Sequence, residues 1–441
     1  MSWNTTFINS LKCGPLLRSL TVDDHRALFS KWCKTAEDFA QLPKLHKRGV
    51  RLRDLRTFAK KFPKLETLKL SLNIFKLCNG NLVSVLDQLH LRELSLECMP
   101  YGMRDVMYDQ LYEMAPLRRL ALSKHAQLLT NLEVRCLPIS AQTLNLLIKH
   151  FSSLKSLIIG FSGFDDIVAP RKLILESKSL AIFMANGLPS SRIEDLVCVM
   201  PKLEVVAISE CDDLLTIELQ ANAVLFFVVN GNCRLHKISA SSEIIQTLHL
   251  LDCPSLSYEH FRNFLKLNPS IERMELVTDW SELRLDTKHC RSLTKLALRD
   301  TGISLSRVQI NCPTLRIFKC SGDLTPRKAV FSRLVGNCEF DINCDYVKKL
   351  QISDLVHLNR VNLRCSSAEL IQIGGLQSVN RPLDLKVRTG QRLDKICLNR
   401  VGLGSIEIHS PEVRSVIMQS CAPARGNIRC KIQFRYYLIL Y

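Results

Sequence analysis

The chain is short of nearly everything that marks an active site. No two of its 18 cysteines lie closer than six positions, so the Cys-x-x-Cys spacing of zinc and dithiol sites is missing. There is no Gly-x-x-x-x-Gly-Lys phosphate loop, no Gly-x-Gly-x-x-Gly and no His-Glu-x-x-His. Gly160-Phe-Ser162-Gly163 lacks the spacing of a nucleophile elbow, and Gly402-Leu-Gly404 reads as a turn between strands. The 11 histidines are scattered singly, the nearest pair being His249 and His260. Asp23-Asp24, Asp165-Asp166 and Asp212-Asp213 are adjacent carboxylates, which diverge in a helix or a strand and so make no acid–base pair. These absences argue against catalysis. No catalytic, cofactor-binding or metal-ligating residue is expected, and no cofactor.

Long apolar runs are also missing. The longest, Ala223 to Val229, falls far below the roughly 18 residues that span a bilayer, so no membrane span is expected. The first 20 residues do not follow the basic-then-apolar order of a signal peptide. The cysteines therefore read as reduced, buried, structural thiols in a cytoplasmic or nuclear protein. Acidic residues are in deficit: 42 Asp and Glu against 60 Lys and Arg leave a formal charge of +18, which steers the chain towards anionic partners.

What is present is a repeat. Leu65-Glu-Thr-Leu68-Lys-Leu70 returns as Leu91-Arg-Glu-Leu94-Ser-Leu96 and as Leu117-Arg-Arg-Leu120-Ala-Leu122, in steps of 26 residues. A fixed period of that size with this leucine spacing fits leucine-rich repeats. Over 62–210 each unit reads as strand, turn and convex helix. The helix faces are Leu82, Val85, Leu86 and Leu89; then Leu144, Leu147, Ile148 and Phe151 with Ser140 as N-cap; then Ile193, Leu196, Val197 and Met200 opened by a Ser191-Arg-Ile-Glu194 capping box. Segment 161–175 reads as a loop or insertion. After Leu203 the starts at Leu214, Val224, Leu235 and Ile245 come ten or eleven residues apart, so over 211–441 the convex side is mostly extended chain. One helical unit returns at Ser257 to Leu267. The fold class is thus an α/β solenoid, an irregular leucine-rich-repeat horseshoe with a helical convex side early and an extended one late. Residues 1–61 form a basic helical N-terminal segment. Phe434 to Tyr441 is apolar with no polar cap after it, so a truncated C-terminal cap is expected.

Side chains alternate along a strand, so the third, fifth and seventh places of each repeat project from the concave sheet and stack into columns about 4.8 Å apart. They include Lys69, Glu93, Glu97 and Arg119 early, and Lys295, Arg299, Lys319, Lys349 and Lys395 late. The late set is basic and predicts an acidic or anionic partner. If Leu358 begins a concave strand instead, Arg360 and Arg364 replace Lys349. No basic–aromatic interleaving is present, so nucleic acid is not the expected ligand.

The stretch from His25 through Trp32-Cys33-Lys34, then Gly49-Val-Arg-Leu52, to Phe62-Pro-Lys-Leu65-Glu-Thr-Leu68-Lys-Leu70-Ser71 resembles plant-type F-box/leucine-rich-repeat proteins. Cys253-Pro-Ser-Leu256 and Cys312-Pro-Thr-Leu315 are similar to the cysteine-containing repeats of that family. The resemblance implies a degraded F-box within residues 1–61, with Leu28, Phe29 and Trp32 contacting a Skp-type adaptor of a cullin ligase. It also implies a concave face that presents target proteins for ubiquitination. The competing expectation is a leucine-rich-repeat binding protein unrelated to ubiquitin.

Overall fold

In a computed structural model the chain is a parallel β-solenoid with little helix. The structure describes residues 19–22, 64–72, 90–98, 115–123, 127–135, 139–160, 168–277, 280–299, 306–321, 338–355, 358–375, 382–423, 430–432 and 438–440. Leu28, Phe29, Trp32 and the expected helix at Leu82–Leu89 lie outside them. Two compact units divide the chain at Ala223/Val224.

The first unit is built on one ladder of parallel strands: β1 (Ser19–Val22), β2 (Thr67–Leu72) and β3 (Glu93–Cys98), then, past helix α1 (Ala115–Ala121), β4 (Asn131–Arg135) and, past helix α2 (Ala141–His150), β5 (Ser156–Gly160). β6 (Lys172–Glu176) leaves this ladder, which continues through β7 (Ile182–Asn186) and, after β8 (Asp195–Val199), β9 (Val205–Ser209). β6, β8 and β10 (Thr216–Gln220) form a second ladder. Apolar side chains at alternate positions turn inward: Leu68, Leu94, Leu96, Leu132, Leu157 and Phe183 are buried. Each such side chain taken out of water contributes about 1.5–3 kcal/mol, which makes the leucine spacing the main determinant of the coil.

Four sequence expectations are corrected here. The repeat copy Leu117–Leu122 is not a strand; Ala115–Ala121 is helical, and the strand of that coil is β4. The coil from β3 to β4 therefore spans 38 residues rather than 26. The expected helix over Ile193–Met200 is instead strand β8, and Ser191 and Glu194 sit in the turn and entry before it, not in a capping box. Segment 161–175 is not wholly a loop, because β6 begins at Lys172. The extended back of the solenoid thus starts at β6, well before Leu203. In addition, Ser19–Val22, within the segment read as helical, is a strand paired with Thr67–Leu70. α2 forms as expected: Ser140 Oγ accepts from the Thr143 N–H at 3.1 Å, and Leu144, Leu147 and Ile148 are buried.

The second unit opens with β11 (Ala223–Asn230), β12 (Lys237–Ser241) and β13 (Ile244–Leu251), followed by helix α3 (Tyr258–Leu267). Ser257 caps α3 as the sequence predicts, accepting from the His260 N–H at 3.3 Å. Phe261 and Tyr258 pack on Trp280, whose indole N–H donates to the Leu256 carbonyl at 2.6 Å. Strands then alternate between two ladders: β14 (Arg273–Val277), β15 (Glu282–Asp286), β16 (Lys295–Arg299), β17 (Arg307–Asn311), β18 (Ile317–Ser321), β19 (Cys338–Asn343) and β20 (Tyr346–Ser353). β21 (Leu358–Gly374) and β22 (Leu383–Asn399) each serve both, one half per ladder, before β23 (Gly402–His409) and β24 (Glu412–Gln419) separate again. Leu438–Leu440 pairs with Val416–Met418.

One corner recurs in both units. The residue after the last outward position of a front strand has positive φ: Gly187, Glu210, Gly231, Asp252, Asp354, Gly375, Arg400 and Ser420. The side chain after the corner residue often reaches back to the carbonyl of the residue just before the corner. Cys211 Sγ donates to the Ser209 carbonyl at 3.2 Å, Cys253 to that of Leu251 at 3.3 Å, and Asn232 Nδ2 to that of Asn230 at 3.1 Å. The Ser209 and Leu251 carbonyls also accept the backbone N–H of Gly187 and Gly231, so the thiol supplies a second donor to a carbonyl that has two lone pairs.

Candidate binding face

In the first unit Lys69, Glu93 and Glu97 project from the front ladder in register: Lys69 beside Ser95, and Glu93 between Thr67 and Asn131. Arg119 is not on this face, since it lies on α1. The third coil instead contributes Asn131, Glu133 and Arg135. Several of these groups bond one another. Glu93 accepts from Thr67 Oγ1 at 3.2 Å, and Glu133 accepts from Ser95 at 2.9 Å and pairs with Arg135. The signal for β4 was present as Leu129-Thr-Asn-Leu132-Glu-Val134, twelve residues after the false copy.

In the second unit the front ladder runs β14–β16–β18–β20, then the C-terminal halves of β21 and β22, then β24. It brings Lys295, Arg299, Lys319, Lys349 and Lys395 onto one face. The pairing Ile317↔Lys349↔Leu370↔Lys395 fixes the register, and it puts Arg360 and Arg364 on the other ladder. Two charged residues missed in the sequence join the face, Arg273 and Glu275, on the repeat that starts at Ile271. Arg299 Nε pairs with Glu275 at 2.9 Å. Among the described residues, Lys295, Lys319, Lys349 and Lys395 have no carboxylate within ion-pair distance.

The other ladder of the same unit is balanced. Its first outward column reads Glu282, Arg307, Glu339, Arg360, Asp384, a change of sign at every coil. Arg360 Nη1 meets Glu339 at 3.2 Å, Lys386 meets Glu407 at 2.6 Å, and Asn362 donates to Asp341 at 3.0 Å. The Lys386 ammonium beside Glu407 holds that carboxyl below the usual carboxylate range.

The contrast between ladders carries more than the charge itself. Two cations about 10 Å apart in water repel by only about 0.4 kcal/mol, so a lysine column needs no partner in order to exist. A uniformly basic composition, however, would spread its excess over both ladders. Here one ladder neutralises itself coil by coil, and the other carries six cations against the single carboxylate of Glu275 in its three outward columns, while at the strand entries Asp394 and Glu412 pair with Arg392 and Arg414 and Glu369 accepts from the Tyr346 hydroxyl.

Among the described residues, nothing comparable collects reactive groups. His289 is 3% exposed and held between Asp286, on Nδ1, and Arg262 Nε, 3.4 Å from Nε2, which makes it a satisfied core histidine. Burial would raise the Asp286 pKa, but the hydrogen bond and charge of His289 outweigh it and hold the carboxyl below its ordinary value. Among the described residues no group of three or more His, Cys, Asp or Glu is placed to hold a metal ion, and no helix is long and apolar enough to cross a membrane. An open groove in the first unit, at the strand entries, is lined by Ser152, Ser153, Lys155, Ser179, Lys202 and Glu204.

Compared with known proteins, the chain matches no protein-family model and no curated sequence.

Proposed function

We propose that the chain is a non-catalytic interaction scaffold of the leucine-rich-repeat type that holds an acidic protein partner against the front ladder of its second unit. The single observation that carries this is the segregation of unpaired Lys295, Lys319, Lys349 and Lys395 on one ladder while the other alternates in sign. The recurrent corner supports the leucine-rich-repeat reading. In Leu203-x-x-Val206-x-Ile208-x-x-Cys211 a cysteine follows the strand at the place where such repeats carry Asn or Cys. A back surface that is helical at α2 and α3 and extended elsewhere fits an irregular horseshoe.

The finer reading is a substrate-recognition subunit of a ubiquitin ligase, in which residues 1–61 engage a Skp-type adaptor and the basic face selects the target. The resemblance at residues 25–71 supports it. Both readings are tested by one affinity capture from cell extract read by mass spectrometry. Wild-type chain is expected to retain acidic proteins that the Lys295→Glu/Lys319→Glu/Lys349→Glu variant loses. The adaptor is expected with residues 1–75 present and absent without them. Identical captures by wild type and the triple variant would remove the basic face as the binding surface. Loss of the adaptor alone would leave a scaffold outside ubiquitin chemistry.

A further inference from the structure

The front face of the second unit is ordered in lanes. The lane formed by the first outward position of each strand reads Lys295, Ile317, Lys349, Leu370, Lys395. A cation alternates with a half-exposed aliphatic residue at every coil. Parallel strands sit about 4.8 Å apart, so successive lysines on this lane are spaced by about 9.6 Å. The lane runs across the strands, whose backbone groups are already paired with their neighbours. A ligand here can be held only by side chains, not by adding a strand.

That spacing selects a ligand conformation. In a β-strand, residues on one side repeat every 6.6 Å or so, which falls out of step with the lysines after a single contact. A polyproline II segment has three residues per turn and a rise of about 3.1 Å, so every third residue returns to the same side after about 9.3 Å. Resting on the proposed scaffold role, we propose that this lane is a docking track for an extended acidic peptide of polyproline II form. It carries Asp or Glu at every third residue. Three successive carboxylates of a seven-residue segment meet Lys295, Lys349 and Lys395, and the residues between them pack on Ile317 and Leu370. The neighbouring lane adds Lys319, and beyond it lies a polar strip of Ser321, Ser353 and Asn399 that suits a solvated peptide backbone. Among the described residues of this ladder from Arg273 to Gln419, Tyr346 is the aromatic side chain that is not buried; Arg316 lies over its ring and its hydroxyl donates to Glu369, which disfavours stacked bases on the same track.

The probes are two labelled peptides of identical composition and charge, four repeats of Glu-Pro-Val and a version with its four Glu residues clustered at one end. Each is titrated into the full chain by fluorescence anisotropy at low and at physiological salt. The spaced peptide is expected to bind about tenfold tighter, since three exposed ion pairs are made together rather than one. Lys295→Glu/Lys349→Glu/Lys395→Glu and Ile317→Asp/Leu370→Asp should each abolish that preference, and Arg360→Glu/Arg364→Glu on the other ladder should leave it intact. All these side chains are at least partly exposed, and thermal melts are to be taken to check that each variant folds. Equal affinities for the two peptides, both lost in the lysine variant, overturn the spacing while the basic face stands as a binding surface. No binding of either peptide, together with a capture unchanged by charge reversal, overturns both. Tighter binding of a single-stranded oligonucleotide, lost in the same variant, overturns the peptide assignment in favour of nucleic acid.

Discussion

At eight corners among the described residues a single residue carries left-handed backbone, and the identity of that residue decides local strain. Gly375 has a φ of +72°, and a Cβ there would run into the carboxylate of Asp354, itself a left-handed corner residue one coil earlier. Gly375→Ala is expected to cost about 1–3 kcal/mol, read as a lower urea midpoint, and Asp354→Gly should return part of it by removing the clash. The buried thiols make a second residue-scale prediction. Desolvation pushes Cys198 up to about 12 and Cys253 up to about 11 from an ordinary 9.0. Unfolded thiols ionise near the ordinary value while these stay protonated, so the unfolded state alone gains as the pH passes 9. Under reducing conditions stability should be flat below that point. It should then fall by up to about 1.4 kcal/mol per pH unit for each such thiol. Cys198→Ala is expected to flatten the decline in thermal melts taken between pH 8 and 10. Legibility was uneven at this scale. Cys253 and Cys312 stood out in their Cys-Pro-x-Leu repeats, but nothing in Glu210 or Arg400 announces a positive φ, because glycine is the residue that advertises it most clearly in sequence.

The three helices among the described residues show what local pattern can and cannot decide. α2 and α3 were legible because two independent signals agreed, a serine cap and an i, i+3, i+4 apolar face. Removing the cap by Ser257→Ala should cost about 1 kcal/mol in chemical denaturation, with helix α3 losing hydrogen-exchange protection first. α1 was misread because Leu117-x-x-Leu120 satisfies both a helix face and the first half of the repeat. Its Pro116 and paired arginines favour the helix, since proline is tolerated in a first turn. β8 was misread in the opposite sense. Ile193, Leu196, Val197 and Met200 have helical spacing, yet β8 lies between β6 and β10, and Leu196, Val197 and Cys198 are all buried. A strand buried on both faces loses its alternation, and a short apolar run then fits either element.

Over the whole molecule, stability is a matter of neighbouring coils. Each strand pairs only with those of adjacent coils, so the solenoid gains stability by nearest-neighbour terms. Phe318 and Phe340 are buried with ring centroids 6.0 Å apart, on adjacent strands of opposite ladders in sequence order. Phe318→Ala should destabilise by about 3–5 kcal/mol. Hydrogen exchange is expected to rise first in Lys295–Arg299, Ile317–Ser321 and Tyr346–Ser353, before it rises in the first unit. The leucine spacing made the solenoid readable, and the outward positions followed wherever the register was unbroken, as at Lys295 and Lys319. The variable coil lengths, 26 residues from β2 to β3 and 38 from β3 to β4, were unreadable because chain added between strands leaves the pairing register unchanged.

The alternating column from Glu282 to Asp384 has an effect at distances where no contact is made. Its charges cancel within a coil or two, so its field dies within a few ångströms, whereas the lysine face projects a field as far as salt allows, about 8 Å in physiological conditions. The second unit therefore carries a transverse electrical moment. Approaching an anionic body, it would be turned lysine-side first before touching it, and orientation rather than affinity would be the first quantity to respond to ionic strength.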